Sequence, residues 1–443
     1  MRWLIGLFAV ALVSVIALVR IAPAFAEDPE KQALIAKIIA KKEGSPVEQV
    51  EARLDRQDRV LPLIPMVQAA LGERFGGAWF DNDQGGVLMV GVTSNTKEPS
   101  GAEVDAASRI LSDANARSDA QFVSVEDPWA TLVRAQEVLG ARVAAVVRAD
   151  GFTTSIDAPS NGLIVETSDE LKADEVDAVR SSADAAAVRV TIRVSGRESL
   201  ALTPFVDCGP LGNGLFCDRP MRGGQFMRAD FPNGPGCTEG FQVRGNSGNN
   251  PFVLTAGHCL QAPDGDSGPW TTRRQTGFDP FEIGSRHSSI YGPYDYGIVR
   301  VAPGSFWEGP PAPAGHVFVD GKPGETTQDE FYAINDAKSP TQGQAICLSS
   351  GIQIPQVGYW TDCGTVTAGP VNRTSQNHDG SLTSLTGVWD SNACTTPGSS
   401  GGPLYKDHHA YGLTHGGFES PCLTVFQNVQ QALTNSNVHL VAP

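Results

Sequence analysis

Gly398-Ser399-Ser400-Gly401-Gly402-Pro403 is the stretch on which the reading of this chain turns. Glycines around a serine let the backbone turn tightly and let another molecule approach closely. Upstream, Asp295-Tyr296-Gly297-Ile298-Val299 puts a carboxylate at the start of an apolar run. Further upstream, Thr255-Ala256-Gly257-His258-Cys259 supplies an imidazole. The chain order is therefore His, Asp, Ser, which differs from arrangements running Asp, His, Ser or Ser, Asp, His. Alone, each segment has an everyday reading: a turn serine, a packed histidine, a capping aspartate. Together they form a nucleophilic constellation. Ser400 is the expected nucleophile, His258 its base and Asp295 the carboxylate that orients the base. The backbone N–H groups of Gly398 and Ser400 are expected to meet the oxyanion.

With 443 residues the chain is long enough for a leader and two folded units. Its formal charge of −16 argues against a nucleic-acid partner, since phosphate binding needs clustered Lys and Arg. Arg2, the apolar run Trp3 to Val19 and the small-x-small site Ala24-Phe25-Ala26 read as a cleaved secretory signal over residues 1–26. The apolar run is short for a bilayer span, so no stable membrane anchor is expected after cleavage. All eight cysteines (Cys208, Cys217, Cys237, Cys259, Cys347, Cys363, Cys394 and Cys422) lie from Cys208 onward, and the first two hundred residues have none. Behind a signal peptide they read as disulfides, with the pairing left open by composition. No Cys-x-x-Cys pair and no His-Glu-x-x-His motif occurs, so neither a metal site nor a cofactor is expected.

Two regions of different character follow the leader. Up to about residue 200 the pattern is α+β. A helix is expected over Lys31–Lys42, ending at Gly44, and another over Val47–Leu71, broken by Pro62 and Pro65. Gly86–Val92, Leu163–Val165 and Val188–Val194 read as strands, and Trp129–Leu139 and 173–187 as helices. This half holds no histidine and no recognisable chemical motif. Beyond residue 200, Gly and Pro become dense and short β runs alternate with turns. Phe241–Arg244, Phe252–Thr255, Gly297–Val301 and His316–Val319 are examples. Such a pattern points to an all-β barrel or sandwich, closed by a short helix near Asn428–Leu433.

Residues 237–430 resemble the chymotrypsin-like serine peptidases, and within them the bacterial branch of streptogrisins and α-lytic protease. The resemblance is carried by Cys237-Thr238-Glu239-Gly240-Phe241, Leu254–Cys259, Asp295–Val299, Asn392–Pro403 and Gly412-Leu413-Thr414-His415-Gly416-Gly417. It implies a double β-barrel with the three residues in the cleft between barrels. It also implies the disulfides Cys237–Cys259, Cys347–Cys363 and Cys394–Cys422, which leave Cys208 with Cys217. The stretch Leu71–Phe80 is similar to the pro-regions of that branch, which assist folding, inhibit the enzyme and are cut away. The implied domains are a signal over 1–26, an α+β pro-region over 27–207 and a protease domain over 208–443. A cut near Arg222-Gly223-Gly224 is the other maturation point, and it would separate Cys208 and Cys217 from the protease.

Two positions depart from that branch. Ser399 stands where relatives carry a buried Asp, which implies that the partner cation is also gone. His415 stands where relatives carry Ser; it could bond Asp295, or lean toward the S1 pocket and favour an acidic P1 side chain. By resemblance Asn392, Ala393, His415, Gly416 and Gly417 line the substrate site. None of these is acidic, which disfavours a Lys or Arg preference, although Asp390 lies close in sequence; an apolar P1 is the first expectation and an acidic one the second. His408-His409 beside Asp407 reads as a solvated turn rather than a metal site. Asn372-Arg373-Thr374 matches a glycosylation acceptor, and Asp264-Gly265-Asp266 reads as a turn. The expected function is a secreted serine endopeptidase, extracellular or periplasmic, made as a proenzyme and acting on protein or peptide substrates. An inactive secreted binding protein on the same fold and a non-peptidase acyl hydrolase are the alternatives.

Overall fold

The computed structural model describes residues 29–94, 96, 98–147, 152–167, 170–194, 221–229, 236–261, 269–272, 281–302, 315–319, 330–376, 382–419 and 421–442. The expected signal, Cys208, Cys217, the 207/208 boundary and Asp264–Asp266 lie outside these residues.

The first half builds two α/β layers. Helix α1 (Pro29–Glu43) ends at Gly44, whose φ of 68° suits glycine. Helix α2 (Val47–Val60) buries Val50, Leu54 and Gln57, residues that recur on one face. Pro62 and Pro65 then interrupt the pattern as expected: a 3-10 turn over Leu61–Leu63 precedes α3 (Ile64–Leu71). Strand β1 (Phe75–Asp81) runs antiparallel to β2 (Val87–Thr93). After α4 (Ala102–Asp113), β3 (Ala120–Val125) joins β2 in parallel. Val60, Val67, Leu71, Leu88, Val90 and Leu111 fill the core between sheet and helices. Helix α5 (Trp129–Val146) covers β4 (Phe152–Asp157) and β5 (Gly162–Thr167), with Leu132, Leu139, Ile156 and Leu163 in the contact. Helix α6 (Ala173–Ala185) returns the chain to β6 (Val190–Val194), parallel to β5.

The second half is all-β. Strands β7 (Phe226–Ala229), β8 (Gly236–Thr238), β9 (Phe241–Gly245), β10 (Pro251–Thr255), β11 (Pro269–Thr272), β12 (Phe281–Tyr291) and β13 (Asp295–Val301) enter the first sheet. A two-stranded ladder of β14 (His316–Val319) with β15 (Glu330–Ala333) and the short β16 (Asp336–Ala337) lead to the second sheet. That sheet contains β17 (Ala345–Ile354), β18 (Tyr359–Gln376), β19 (Leu382–Ser391), β20 (Pro403–Lys406), β21 (His409–Glu419) and β22 (Cys422–Asn428). Helix α7 (Val429–Ser436) carries the chain back to β23 (Val438–Leu440) at the edge of the first sheet. The first sheet has the order β23-β9-β10-β13-β12-β11-β7-β8. In the second, the order β17-β20-β21-β22-β19-β18 closes on itself through β17 with β18. Closure pairs β17 with β18 up to Thr365, and β18 continues past that point. The disulfides Cys237–Cys259, Cys347–Cys363 and Cys394–Cys422 are present as the resemblance implies.

The two halves share one sheet. Strand β4 pairs with β18, Val371 opposite Ser155 and Arg373 opposite Thr153, so β4-β5-β6 extend the closed barrel outward. Among the described residues no helix is long and apolar enough to cross a membrane.

Candidate active site

The first sheet presents the imidazole and the carboxylate. Register pairs Thr255 at the end of β10 with Gly297 near the start of β13. His258 opens the turn just past β10, and Asp295 is the first residue of β13. Gly257 is required there, because a Cβ would run into the Ile290 carbonyl. The Gly257 carbonyl accepts from Ser289 Oγ at 2.7 Å. His258 then meets Asp295 twice: its backbone N–H donates to Oδ1 at 2.8 Å, and its Nδ1 stands 2.7 Å from Oδ2. Asp295 is fully buried, which alone would raise its pKa. Its hydrogen bonds and charge interactions with His258 and His415 instead hold the carboxyl well below the usual carboxylate range. An ionised carboxylate only accepts, so the proton on His258 sits on Nδ1 and leaves Nε2 as the basic atom.

Ser400 comes from the second sheet, in the turn before β20. Positive φ at Gly398 (95°) and Gly401 (84°) makes this turn possible. Strand β8 braces it from the other side of the cleft. Thr238 N–H donates to the Ser400 carbonyl and Thr238 Oγ1 to the Gly398 carbonyl, both at 2.8 Å. The backbone N–H groups of Gly398 and Ser400 have no acceptor among the described residues, so both remain available. The Ser400 hydroxyl donates to the His415 carbonyl at 3.3 Å and makes no hydrogen bond to His258. Reaching Nε2 takes rotation of the serine side chain, a common difference between resting and substrate-bound sites.

Residues 238–411 match the family described as trypsin-like peptidase domain, and residues 48–107 match the family described as alpha-lytic protease pro N-terminal. Serine protease 2 of Streptomyces fradiae is 30% identical over 197 residues, covering 44% of this chain and 94% of that protein. Streptogrisin-D of Streptomyces griseus is 29% identical over 220 residues, covering 46% of this chain and 45% of that protein. The chain thus spans less than half the length of streptogrisin-D. Among solved structures, a glutamic acid specific serine protease described as using a histidine triad in substrate binding is 26% identical. It covers 50% of this chain and all of its own, with a TM-score of 0.38. The chain belongs to the trypsin-like serine peptidases.

Around the peptidase nucleophile turn, the departures at Ser399 and His415 have definite partners. Ser399 is fully buried and its Oγ lies 2.8 Å from Ser350 Oγ, a neutral hydroxyl pair. His415 is also fully buried, with Nδ1 2.6 Å from Asp295 Oδ2, which is the first of the two placements expected of it. Of the residues expected at the substrate site, Asn392 accepts at Oδ1 from Thr365 N–H at 2.7 Å, and Ala393 is buried. Gly416 is half-buried; Gly417 is buried, and a Cβ there would strike the Leu423 carbonyl. Asp390 is spent elsewhere: Arg373 reaches both its carboxylate oxygens at 3.0 Å. His409 contacts Asp336 and lies 2.8 Å from Lys338 Nζ, while His408 Nδ1 meets the Ala333 carbonyl at 2.7 Å. The two rings take different partners, His408 in the turn and His409 at the start of β21. Asn372 sits in β18, its Oδ1 accepting from Gly387 N–H at 3.3 Å.

The ligand atoms of His258, Asp295 and His415 lie close enough together to hold a metal ion, but the two imidazoles already use the carboxylate. Thr238, Tyr291 and Gln427 were not singled out from sequence. Tyr291 packs its ring 5.7 Å from that of His258, and Gln427 Oε1 accepts from Asp295 N–H at 3.2 Å. For Thr238 the signal was its place beside Cys237; for the other two the relation is long-range and leaves no local mark.

Proposed function

We propose that this chain is a secreted serine endopeptidase made as a proenzyme, cleaving peptide bonds through an acyl-enzyme on Ser400. The observation that carries the reading is the double hydrogen bond from His258 to ionised Asp295, facing the Ser400 turn across the cleft. In the first step the Ser400 Oγ–carbonyl carbon bond forms while the hydroxyl proton passes to His258 Nε2. Asp295 stabilises the imidazolium, and the N–H groups of Gly398 and Ser400 stabilise the oxyanion. The imidazolium then gives its proton to the leaving amine as the C–N bond breaks. Water repeats the sequence on the ester and frees Ser400.

Residues 27–207 act as the pro-region, a folding aid and inhibitor, and residues 208–443 as the protease. The shared sheet between β4 and β18 supports that reading. With Asp390 neutralised by Arg373 and no acid at Asn392 or Ala393, the site suits apolar P1 side chains in extended peptides. Signal cleavage after Ala26 releases the protein to the extracellular space or periplasm. The test is the intact mass of the chain lacking residues 1–26, followed over time beside Ser400→Ala, with fluorophosphonate labelling. Labelling and loss of a large N-terminal piece are expected only with Ser400 present. A wild-type chain that stays whole and takes no label would overturn the proposal.

A further inference from the structure

Thr238 ends β8 and is fully buried. Its N–H donates to the Ser400 carbonyl and its hydroxyl to the Gly398 carbonyl, both at 2.8 Å. The hydroxyl oxygen accepts from Gly351 N–H of β17 at 2.9 Å. The Thr238 carbonyl accepts from Thr255 Oγ1, at the end of β10, also at 2.9 Å. A hydroxyl carries one proton. With Gly351 N–H donating to the oxygen, that proton is committed to Gly398, and the two bonds together fix the side chain.

The two carbonyls held by Thr238 belong to Gly398 and Ser400, the residues whose N–H groups are proposed to meet the oxyanion. The peptide joining Gly398 to Ser399 is clamped at both ends: its carbonyl by the Thr238 hydroxyl, its N–H by the Thr396 carbonyl at 2.9 Å. The next peptide is held through the Ser399 carbonyl, which accepts from Gly402 N–H at 2.8 Å. A trans peptide points its N–H away from its own carbonyl, so this bond turns the Ser400 N–H away from Gly402. Gly398 has a φ of 95°, and glycine has the widest backbone freedom of any residue. The Thr238 hydroxyl restrains that freedom on its carbonyl side. The same strand also reaches the base. Cys237 is bonded to Cys259, next to His258, and Thr255 leads into the His258 turn. Gly401 seats directly on this support: a Cβ there would strike Thr255 Oγ1 and the Thr238 carbonyl. Cys237 and Thr238 thus tie the nucleophile turn to the segment that carries the imidazole.

We infer that Thr238 is a positioning residue whose hydroxyl sets the oxyanion donors, acting through Gly398 and never on substrate. The inference rests on the proposed roles of Ser400, Gly398 and His258. Its test compares wild type with Thr238→Val, which keeps the shape and the backbone bonds but has no hydroxyl, and with Thr238→Ser, which keeps the hydroxyl. Each is expressed without residues 1–26 and matured where necessary by immobilised wild-type enzyme. On a peptide with an apolar P1 residue, Thr238→Val is expected to lower kcat by about thirtyfold with KM within about threefold. That is less than the loss of about a hundredfold or more when an oxyanion donor itself is removed. Thr238→Ser should recover most of the loss. A peptide aldehyde forms a hemiacetal oxyanion on Ser400 and should bind Thr238→Val about thirtyfold more weakly than wild type; the matching peptide alcohol forms none and should change by less than about threefold. Equal kcat in wild type and Thr238→Val, no recovery in Thr238→Ser, or aldehyde and alcohol weakened alike would each overturn the inference. Should Thr238→Val fail to fold, the same readings on Thr238→Ala decide, since alanine also lacks the hydroxyl and keeps the backbone bonds of β8. In all these outcomes wild type still cleaves. A wild type that neither cleaves nor takes fluorophosphonate label overturns the peptidase reading, and this inference with it.

Discussion

Glu239 directly follows Thr238, which braces the Ser400 turn, and nothing in its own sequence marks it out. It is buried, and neither carboxylate oxygen has a hydrogen-bond partner. Burial pushes its carboxyl well above the ordinary value, and the charge of buried Arg222 offsets this only in part. A carboxyl raised in the folded state favours folding fully below its unfolded pKa of about 4.3, and that contribution is lost as pH rises through the folded value. Glutamine carries the neutral form at every pH. Glu239→Gln should therefore match wild type near about pH 4 and be more stable at about pH 8, by about 1 kcal/mol or a few degrees in melting temperature. Melting curves of the mature chain at the two pH values check this; a variant less stable than wild type at the higher pH would show that Arg222 pairs with Glu239 strongly enough to keep it charged.

The elements that join the halves are β4, β18 and α5. Gln136 on α5 donates through Nε2 to the carbonyls of Thr154 on β4 and Pro370 on β18, both at 2.7 Å. Gln136→Leu removes both bonds and leaves buried carbonyls unmet. The separately made first half should then inhibit the mature enzyme about tenfold more weakly, the equivalent of about 1.4 kcal/mol. An unchanged inhibition constant would mean that the β4–β18 ladder alone carries the contact. This junction also marks the limit of what the sequence can say. Breaks at Gly44, Pro62 and Pro65, and runs such as Phe252–Thr255, are local facts of backbone preference and were legible. Strand β1 escaped notice because two of its seven residues are glycine, and α4 and β3 because their apolar pattern is short. Pairing of Ser155 with Val371 was out of reach, since no local pattern encodes a partner more than two hundred residues away. The site divides in the same way. His258, Asp295 and Ser400 stand in self-identifying segments, whereas a β-bulge at His415 and the support from Gln427 depend on register between strands.

At the scale of the whole molecule, ion pairs of opposite sense cross the junction. Lys42 of α1 reaches Asp362 of β18 at 2.7 Å, and Asp58 of α2 reaches Lys406 of β20. Reversed polarity at two separate places penalises misregistered docking, because a slipped complex would leave like charges or bare charges facing each other. The second pair is the more demanding. Lys406 is 1% exposed and lies between Asp58 and its neighbour Asp407, the latter at 2.5 Å. Burial alone would drive its pKa down, yet the two carboxylates hold the ammonium well above the ordinary lysine value. A raised lysine contributes stability throughout the range below its unfolded pKa, so this junction keeps its charge from acid to mildly alkaline pH. Asp58→Asn leaves a sealed ammonium with one carboxylate. Inhibition of the mature enzyme by the first half should weaken about tenfold, while Asp55→Asn, exposed on the same helix, should change it less than about twofold. Burial also shields the Lys406 pair from salt, so raising the ionic strength from about 0.1 to 1 M should not abolish the difference between the two variants. Equal effects of Asp58→Asn and Asp55→Asn would mean that Asp407 alone satisfies Lys406 and that the halves are held by the shared sheet rather than by charge.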